Sequence, residues 1–234
     1  MIYITGDTHG ELGRFFGPQR LPDDSLTEED YLIVAGDFGF VFQQCGTPYH
    51  AEERAALDAL EEKPYTILFV DGNHENFDRL ASEFPEEDWH GGRVRRIRRN
   101  VLHLMRGYVY DIDGRRVFAM GGGYSHDKAT RREDFDWWRE EMPSNEEYRR
   151  ATRSLAEHQN RVDLIVTHTA PDKVLFALGK AADPHEAELT GFLQWVMDTV
   201  SFDRWFFGHW HLDERLTGIF SPFTAVHCSL HPLP

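Results

Sequence analysis

Cysteine is almost missing from this sequence. Only Cys45 and Cys228 occur among 234 residues. Neither belongs to a Cys-x-x-Cys pair, so a disulfide framework and a thiolate zinc knot are not indicated, and reduced thiols are expected. Long apolar runs are missing too: no stretch approaches the ~20 residues needed to cross a bilayer. The first apolar run, Ile2-Tyr3-Ile4-Thr5, has no basic segment before it and breaks at Gly6-Asp7, unlike a secretory leader. A soluble, cytoplasmic protein with no membrane partner is expected. Positive charge is scarce, with 25 Lys and Arg against 40 Asp and Glu, a formal charge of −15. Such a balance argues against broad, sequence-independent binding to nucleic acid or anionic membrane. An anionic substrate would need local cations to overcome the global field. Repeats, low-complexity tracts and linker-like stretches are absent as well, so residues 1–234 read as one domain.

What is present suits a packed core: 41% hydrophobic residues, with 17 Phe and 6 Trp. Short apolar or β-branched runs closed by Gly, Asp or Asn predict strands at 2–5, 31–35, 65–70, 101–105, 108–112, 116–120, 164–167, 204–207 and 224–228. Helices are expected at 50–62, 76–84, 145–160 and 185–200. Ser144 with Glu147 is a capping-box signature, and Asp113-Gly114 reads as a tight hairpin turn. Alternating strands and helices imply a largely parallel sheet covered by helices. The hairpin adds an antiparallel part.

The chemistry sits at the strand ends. Gly6-Asp7-Thr8-His9-Gly10 follows the first strand, Gly36-Asp37 the second and Gly72-Asn73-His74-Glu75 the third. His168 follows 164–167, and Gly208-His209-Trp210-His211 follows 204–207. Loops at the carboxyl ends of strands converge in open α/β sheets. Asp, Asn and His donors without thiolate suit manganese, iron, zinc or a similar divalent ion. Asp7 and His9, or His209 and His211, are one residue apart and share a side of extended chain. One carboxylate can bridge two cations ~3.5–4 Å apart. A lone Asp-x-His is usually a turn; five such blocks at five strand ends point to a metal site.

The series Asp7-x-His9, Gly36-Asp37, Gly72-Asn73-His74-Glu75, His168 and Gly208-His209-x-His211 resembles the motif series of calcineurin-like metallophosphoesterases. It spans residues 6 to 211 in the family's order. The resemblance implies an α/β fold, a four-layer αββα sandwich of two mixed sheets flanked by helices. It implies hydrolysis of phosphomonoesters or phosphodiesters by water or hydroxide bridging two divalent metal ions. Those ions would be Mn, Fe, Zn or Ni, with Mn favoured, and the substrate a small phosphorylated compound. Asp7, His9 and His211 would ligate the first metal; Asn73, His168 and His209 the second; Asp37 would bridge them. His74 would stay outside the coordination sphere, stabilising the transition state or protonating the leaving oxygen.

One block departs from relatives that dephosphorylate Ser/Thr proteins. Their Gly-Asp-x-x-Asp-Arg-Gly is replaced by Gly36-Asp37-Phe38-Gly39-Phe40-Val41-Phe42. The second Asp, which partners the catalytic His, and the phosphate-binding Arg are gone. Asp71 and Glu75 are left as the carboxylates that could orient His74.

Two further segments invite a reading. Gly121-Gly122-Gly123-Tyr124-Ser125-His126-Asp127-Lys128, running on to Arg131 and Trp137-Trp138, resembles a segment in a bacterial and phage branch of the family. Ser125, His126, Lys128 and Arg131 are candidate substrate contacts there. Arg93, Arg95, Arg96, Arg98 and Arg99 form a basic run. It could attract nucleic acid, or be a solvated edge strand or loop; no aromatics interleave for base stacking. Two alternatives follow: a metal-dependent nuclease, or a non-catalytic scaffold on the same fold.

Overall fold

Short strands of consecutive apolar residues need cover on both faces, and that requirement dictates the layering. The computed structural model describes residues 1–17 and 20–233. Its strands are β1 (Ile2–Thr5), β2 (Tyr31–Val34), β3 (Thr66–Phe69), β4 (Glu86–Trp89), β5 (Gly92–Arg98), β6 (Val101–Leu104) and β7 (Tyr108–Ile112). They continue with β8 (Arg115–Met120), β9 (Leu164–Thr167), β10 (Arg204–Phe207), β11 (Glu214–Arg215), β12 (Phe223–Ala225) and β13 (His231–Leu233). The helices are α1 (Gly13–Phe16), α2 (Pro48–Glu61), α3 (Phe77–Glu83), α4 (Asn145–Glu157), α5 (Asp172–Ala177) and α6 (Ala187–Thr199).

Alternate side chains part to opposite faces. Ile4, Ile33, Leu68 and Leu102 point inward and meet Val117, Ala119, Leu164, Val166 and Phe206 of the other sheet. Leu32, Val34, Ile67 and Phe69 point outward onto Phe15, Leu57, Leu60 and Leu80 of the first three helices. On the far side, Phe118, Met120, Ile165, Trp205 and Phe207 pack against Leu155, Val174, Leu175, Leu189 and Leu193 of the last three. Each such side chain contributes ~1.5–3 kcal/mol when buried. The result is the four-layer αββα sandwich.

The first sheet runs β13-β1-β2-β3-β6-β5-β4 and the second β11-β12-β10-β9-β8-β7. β1, β2, β3 and β6 are parallel, as are β8, β9, β10 and β12, while the outer strands pair antiparallel. The sheets are therefore mixed. Parallel alignment brings the carboxyl ends of β1, β2 and β3 to one edge and those of β9 and β10 to the facing edge.

Local signals set several boundaries. Thr47 caps α2, accepting from the His50 N–H, with Pro48 behind it. Ser144 and Glu147 form the full capping box of α4. That helix stops at Glu157, short of the expected 160, because Gln159 and Asn160 adopt positive φ. Asp113 and Gly114, at φ 53° and 71°, turn β7 into β8. The basic run is not the outermost strand: Arg93, Arg95, Arg96 and Arg98 lie in β5, shielded by β4, and Arg99 in the turn that follows. Among the described residues no helix is long and apolar enough to cross a membrane.

Candidate metal centre

Sharp turns aim the polar groups at the seam between the sheets. His9, Asp37, His209 and His211 all take the left-handed backbone region, at φ 46°, 49°, 67° and 51°. Such conformations cost a non-glycine residue on the order of 1–3 kcal/mol and cluster where function demands them. Neighbouring glycines supply space. A Cβ on Gly36 would lie 2.0 Å from His168 Nδ1, and one on Gly72 would lie 2.1 Å from Asp37 Oδ1.

Two groups of donors result. In the first, His9 Nε2 and His211 Nε2 stand 3.1 Å apart, and His211 Nε2 is 3.2 Å from Asp7 Oδ2. Ligand atoms of Asp7, His9 and His211 all lie within 4.8 Å of one another. In the second, His168 Nε2 is 3.2 Å from both Asn73 Oδ1 and His209 Nδ1. Asp37 lies between: Oδ1 is 3.3 Å from His168 Nε2 and Oδ2 is 3.9 Å from His9 Nε2. Donors about 2.1 Å from a shared ion stand roughly 3–3.4 Å apart at right or tetrahedral angles. The separations of 3.1–3.3 Å fall in that range, and the Asp37–His9 one, at 3.9 Å, is wider. Ala35 O contacts His168 Nδ1 at 3.0 Å, which turns Nε2 inward.

The electrostatics ask for positive charge. Burial pushes the Asp7 carboxyl up, but the His211 hydrogen bond, the His168 ring and the His209 N–H outweigh it and bring the pKa down to about 2. Asp37 is raised well above the carboxylate range by burial and by the Asp7 charge. Glu75 is pushed up to about 8, again by burial and then by Asp37. Burial holds His209 well below its ordinary value and lowers His9.

His74 follows Asn73, and the backbone N–H groups of both donate to Asp37 Oδ1, at 2.9 and 2.8 Å. Its half-buried ring lies 4.8 Å from His9 and 5.7 Å from Phe42, centroid to centroid. Burial, with the charges of His9 and Arg131, takes it down to about 3. The two carboxylates considered as its partners are engaged elsewhere. Asp71 accepts from His103 Nε2 at 2.8 Å and from Arg106 Nε at 2.7 Å. Glu75 accepts from the N–H groups of Gly39 and Gly72, tying the loops after β2 and β3 together. Ligand atoms of His74, His9 and Asp37 lie within 4.8 Å of one another; among the described residues no carboxylate comes close enough to the His74 ring to form an ion pair.

The glycine-rich loop contacts this centre from the second sheet. Ser125 is buried, its Oγ donating to Glu141 and accepting from Asn73 Nδ2. His126 lies 5.7 Å from His209, ring to ring. Lys128 pairs with Glu141 at 3.1 Å and sits over the rings of Tyr124 and Trp137. Arg131 pairs with Asp127 at 2.8 Å. In the basic run, Arg93 and Arg95 pair with Glu86, Arg96 with Glu87, Arg98 with Asp58 and Arg99 with Glu28. Cys45 and Cys228 are both free and exposed.

Sequence reasoning missed Arg14 and Glu186, and it marked Glu141 only as the end of the Gly-Gly…Trp-Trp segment, without a role. Arg14 donates to the carbonyls of Asp7 and His227, fastening the first loop to the chain after β12. Glu186 Oε1 lies 3.6 Å from His209 Nε2. Glu141 stands behind Ser125. A lone Glu at a helix start carries no signal that separates this use from ordinary capping.

A comparison with curated proteins finds no match. The five loops that meet here fall, in order, inside residues 1–213, which match the family model described as calcineurin-like phosphoesterase. With the sandwich fold and the His/Asp clusters at its seam, that match places the chain in the calcineurin-like phosphoesterase family.

Proposed function

We propose that this protein hydrolyses small phosphomonoesters or phosphodiesters at a centre of two divalent cations, manganese foremost. Asp7, His9 and His211 hold one, Asn73, His168 and His209 the other, and Asp37 is shared. The observation that carries this reading is the meeting of two donor groups at one buried carboxylate, 3.3 Å from His168 on one side and 3.9 Å from His9 on the other. Cations held by these residues would acidify a water and neutralise phosphoryl oxygens.

The chain's own groups do the rest. His74 shares its turn with Asn73, so its ring sits at the rim of the donor clusters, where its N–H stabilises the charge that develops on the phosphoryl and leaving oxygens in the transition state. Arg131, whose charge reaches His74, is the cation assigned to the phosphate; Lys128 and Ser125 lie behind it, bound to Glu141. His126 forms the rim beside His209. A groove of about 310 Å³ next to His9, lined by Gly39, Phe40, Gln43 and Tyr49, offers room for the organic part of the ester.

The nuclease alternative rested on the arginine run, and those arginines are paired to acidic side chains. The scaffold alternative would tolerate a broken donor set, and here every donor is present. The test is turnover of p-nitrophenyl and bis-p-nitrophenyl phosphate with manganese. Wild type should turn over at least one ester, and Asp37→Asn and His74→Ala should abolish or cripple it. No metal-dependent turnover of either ester by wild type would overturn the reading.

A further inference from the structure

We propose that Glu186 and Glu141 are positioning residues for the second cation, fixing the donor atoms of His209 and Asn73; the inference rests on the two-cation reading above. His209 turns Nδ1 to the centre, 3.2 Å from His168 Nε2. Its Nε2 therefore points outward, where it is buried with no hydrogen-bond partner. Facing it at 3.6 Å is Glu186 Oε1, and Glu186 Oε2 is buried without a partner too. A ring that ligates through Nδ1 must keep its proton on Nε2. Leaving that proton buried and unmet costs about 1–3 kcal/mol. A ring shift of under an ångström closes 3.6 Å to a charge-assisted hydrogen bond.

Asn73 has a parallel device. A carboxamide can present either its oxygen or its NH2, and only the oxygen ligates a cation. Glu141, an acceptor when ionised, takes the Ser125 Oγ proton at 2.9 Å. The hydroxyl is thereby left to accept from Asn73 Nδ2 at 3.2 Å. Asn73 Oδ1 is then the end that faces His168 Nε2, at 3.2 Å.

One loop holds both carboxylates. The Tyr124 N–H donates to Glu186 and the Ser125 N–H to Glu141, and both carboxylates are 0% exposed. Gly123 stands between them over the donors: a Cβ there would lie 2.8 Å from His168 Cδ2, 3.3 Å from Asn73 Oδ1 and 3.4 Å from His209 Nδ1. The Gly-Gly-Tyr-Ser run thus acquires a task, bracing the second cation's ligands.

The experiment titrates manganese into wild type, Glu186→Ala, Glu186→Gln and Ser125→Ala. Bound metal is read by mass spectrometry and the coupled pair by its electron paramagnetic resonance signal. Wild type should take two ions. Glu186→Ala should keep the first at unchanged affinity and bind the second about 10–100-fold more weakly, the usual effect of losing such a support. Glu186→Gln should recover part, because its amide oxygen still accepts the Nε2 proton. Ser125→Ala, a smaller change that keeps the test alive if Glu186→Ala fails to fold, should weaken the second ion in the same way. Unchanged uptake in both Glu186→Ala and Ser125→Ala overturns the proposal, as does equal loss of both ions alongside a lowered melting temperature. A wild type that takes fewer than two ions overturns the two-cation reading itself and this inference with it.

Discussion

Replacing Arg106 by Met removes a guanidinium that is 3% exposed and holds a carboxylate, Asp71, that is 1% exposed. The two meet through Arg106 Nε and Asp71 Oδ2 at 2.7 Å. Methionine is similar in length and leaves little void, so the cost comes from the charge. Burial alone would raise Asp71; the Arg106 charge and the His103 hydrogen bond hold it well below the usual carboxylate range. Breaking a buried pair by removing one partner typically costs about 3–5 kcal/mol. For a chain of this size each kcal/mol moves the melting temperature roughly 2–4 °C, so the expected fall is about 6–20 °C. The pH dependence follows from the signs. In wild type the depressed folded pKa contributes stability that is present above the unfolded value of 3.8 and lost as pH falls through the folded one. In Arg106→Met burial prevails, the folded pKa rises above the unfolded one, and the same carboxylate becomes a penalty that grows with pH. The gap between the proteins is therefore widest near pH 7 and narrows toward pH 4. Calorimetric melts at both values measure it, and the Asp71→Asn/Arg106→Met double variant should recover most of the loss. A fall under about 2 °C at pH 7, or a gap that widens on acidification, refutes the reasoning.

Gly123→Ala should strain the second donor cluster, since the added methyl meets His168, itself fixed by Ala35; overpacking of this kind costs about 1–3 kcal/mol, and metal titration should show the second ion weakened more than the first. His74→Ala should lower kcat by roughly 10²–10⁴ while manganese content stays at the wild-type level; loss of bound metal would instead make His74 a ligand.

The centre was legible because chemistry and punctuation coincide. Apolar runs such as 31–35 stop at Gly-Asp or Gly-Asn, and the parallel sheets carry those stops to one seam. The β4–β5 hairpin was hidden because its residues are mostly charged. Val94 and Ile97 do alternate in burial, yet each faces a different core, so no single apolar face stands out. Glu186 and the role of Glu141 stayed invisible for another reason. Their partners lie 23 and 16 positions away, His209 and Ser125 respectively, and a buried carboxylate looks in sequence like any solvated one. Absence was readable where it mattered: the missing second Asp after Gly36-Asp37 is matched by a His74 ring with no carboxylate partner among the described residues.

His9 and His211 touch although they are 202 positions apart in sequence. At ribosomal speeds of about 5–20 residues per second, the N-terminal turn waits on the order of 10–40 seconds for its counterpart to be made. Through that interval the loops after β1 to β3 wait for His209 and His211, which follow β10 and complete the two clusters. Such distant closure slows folding. A nascent chain halted before β10 lacks His209 and His211, so neither donor cluster is complete until strands of both sheets have been made.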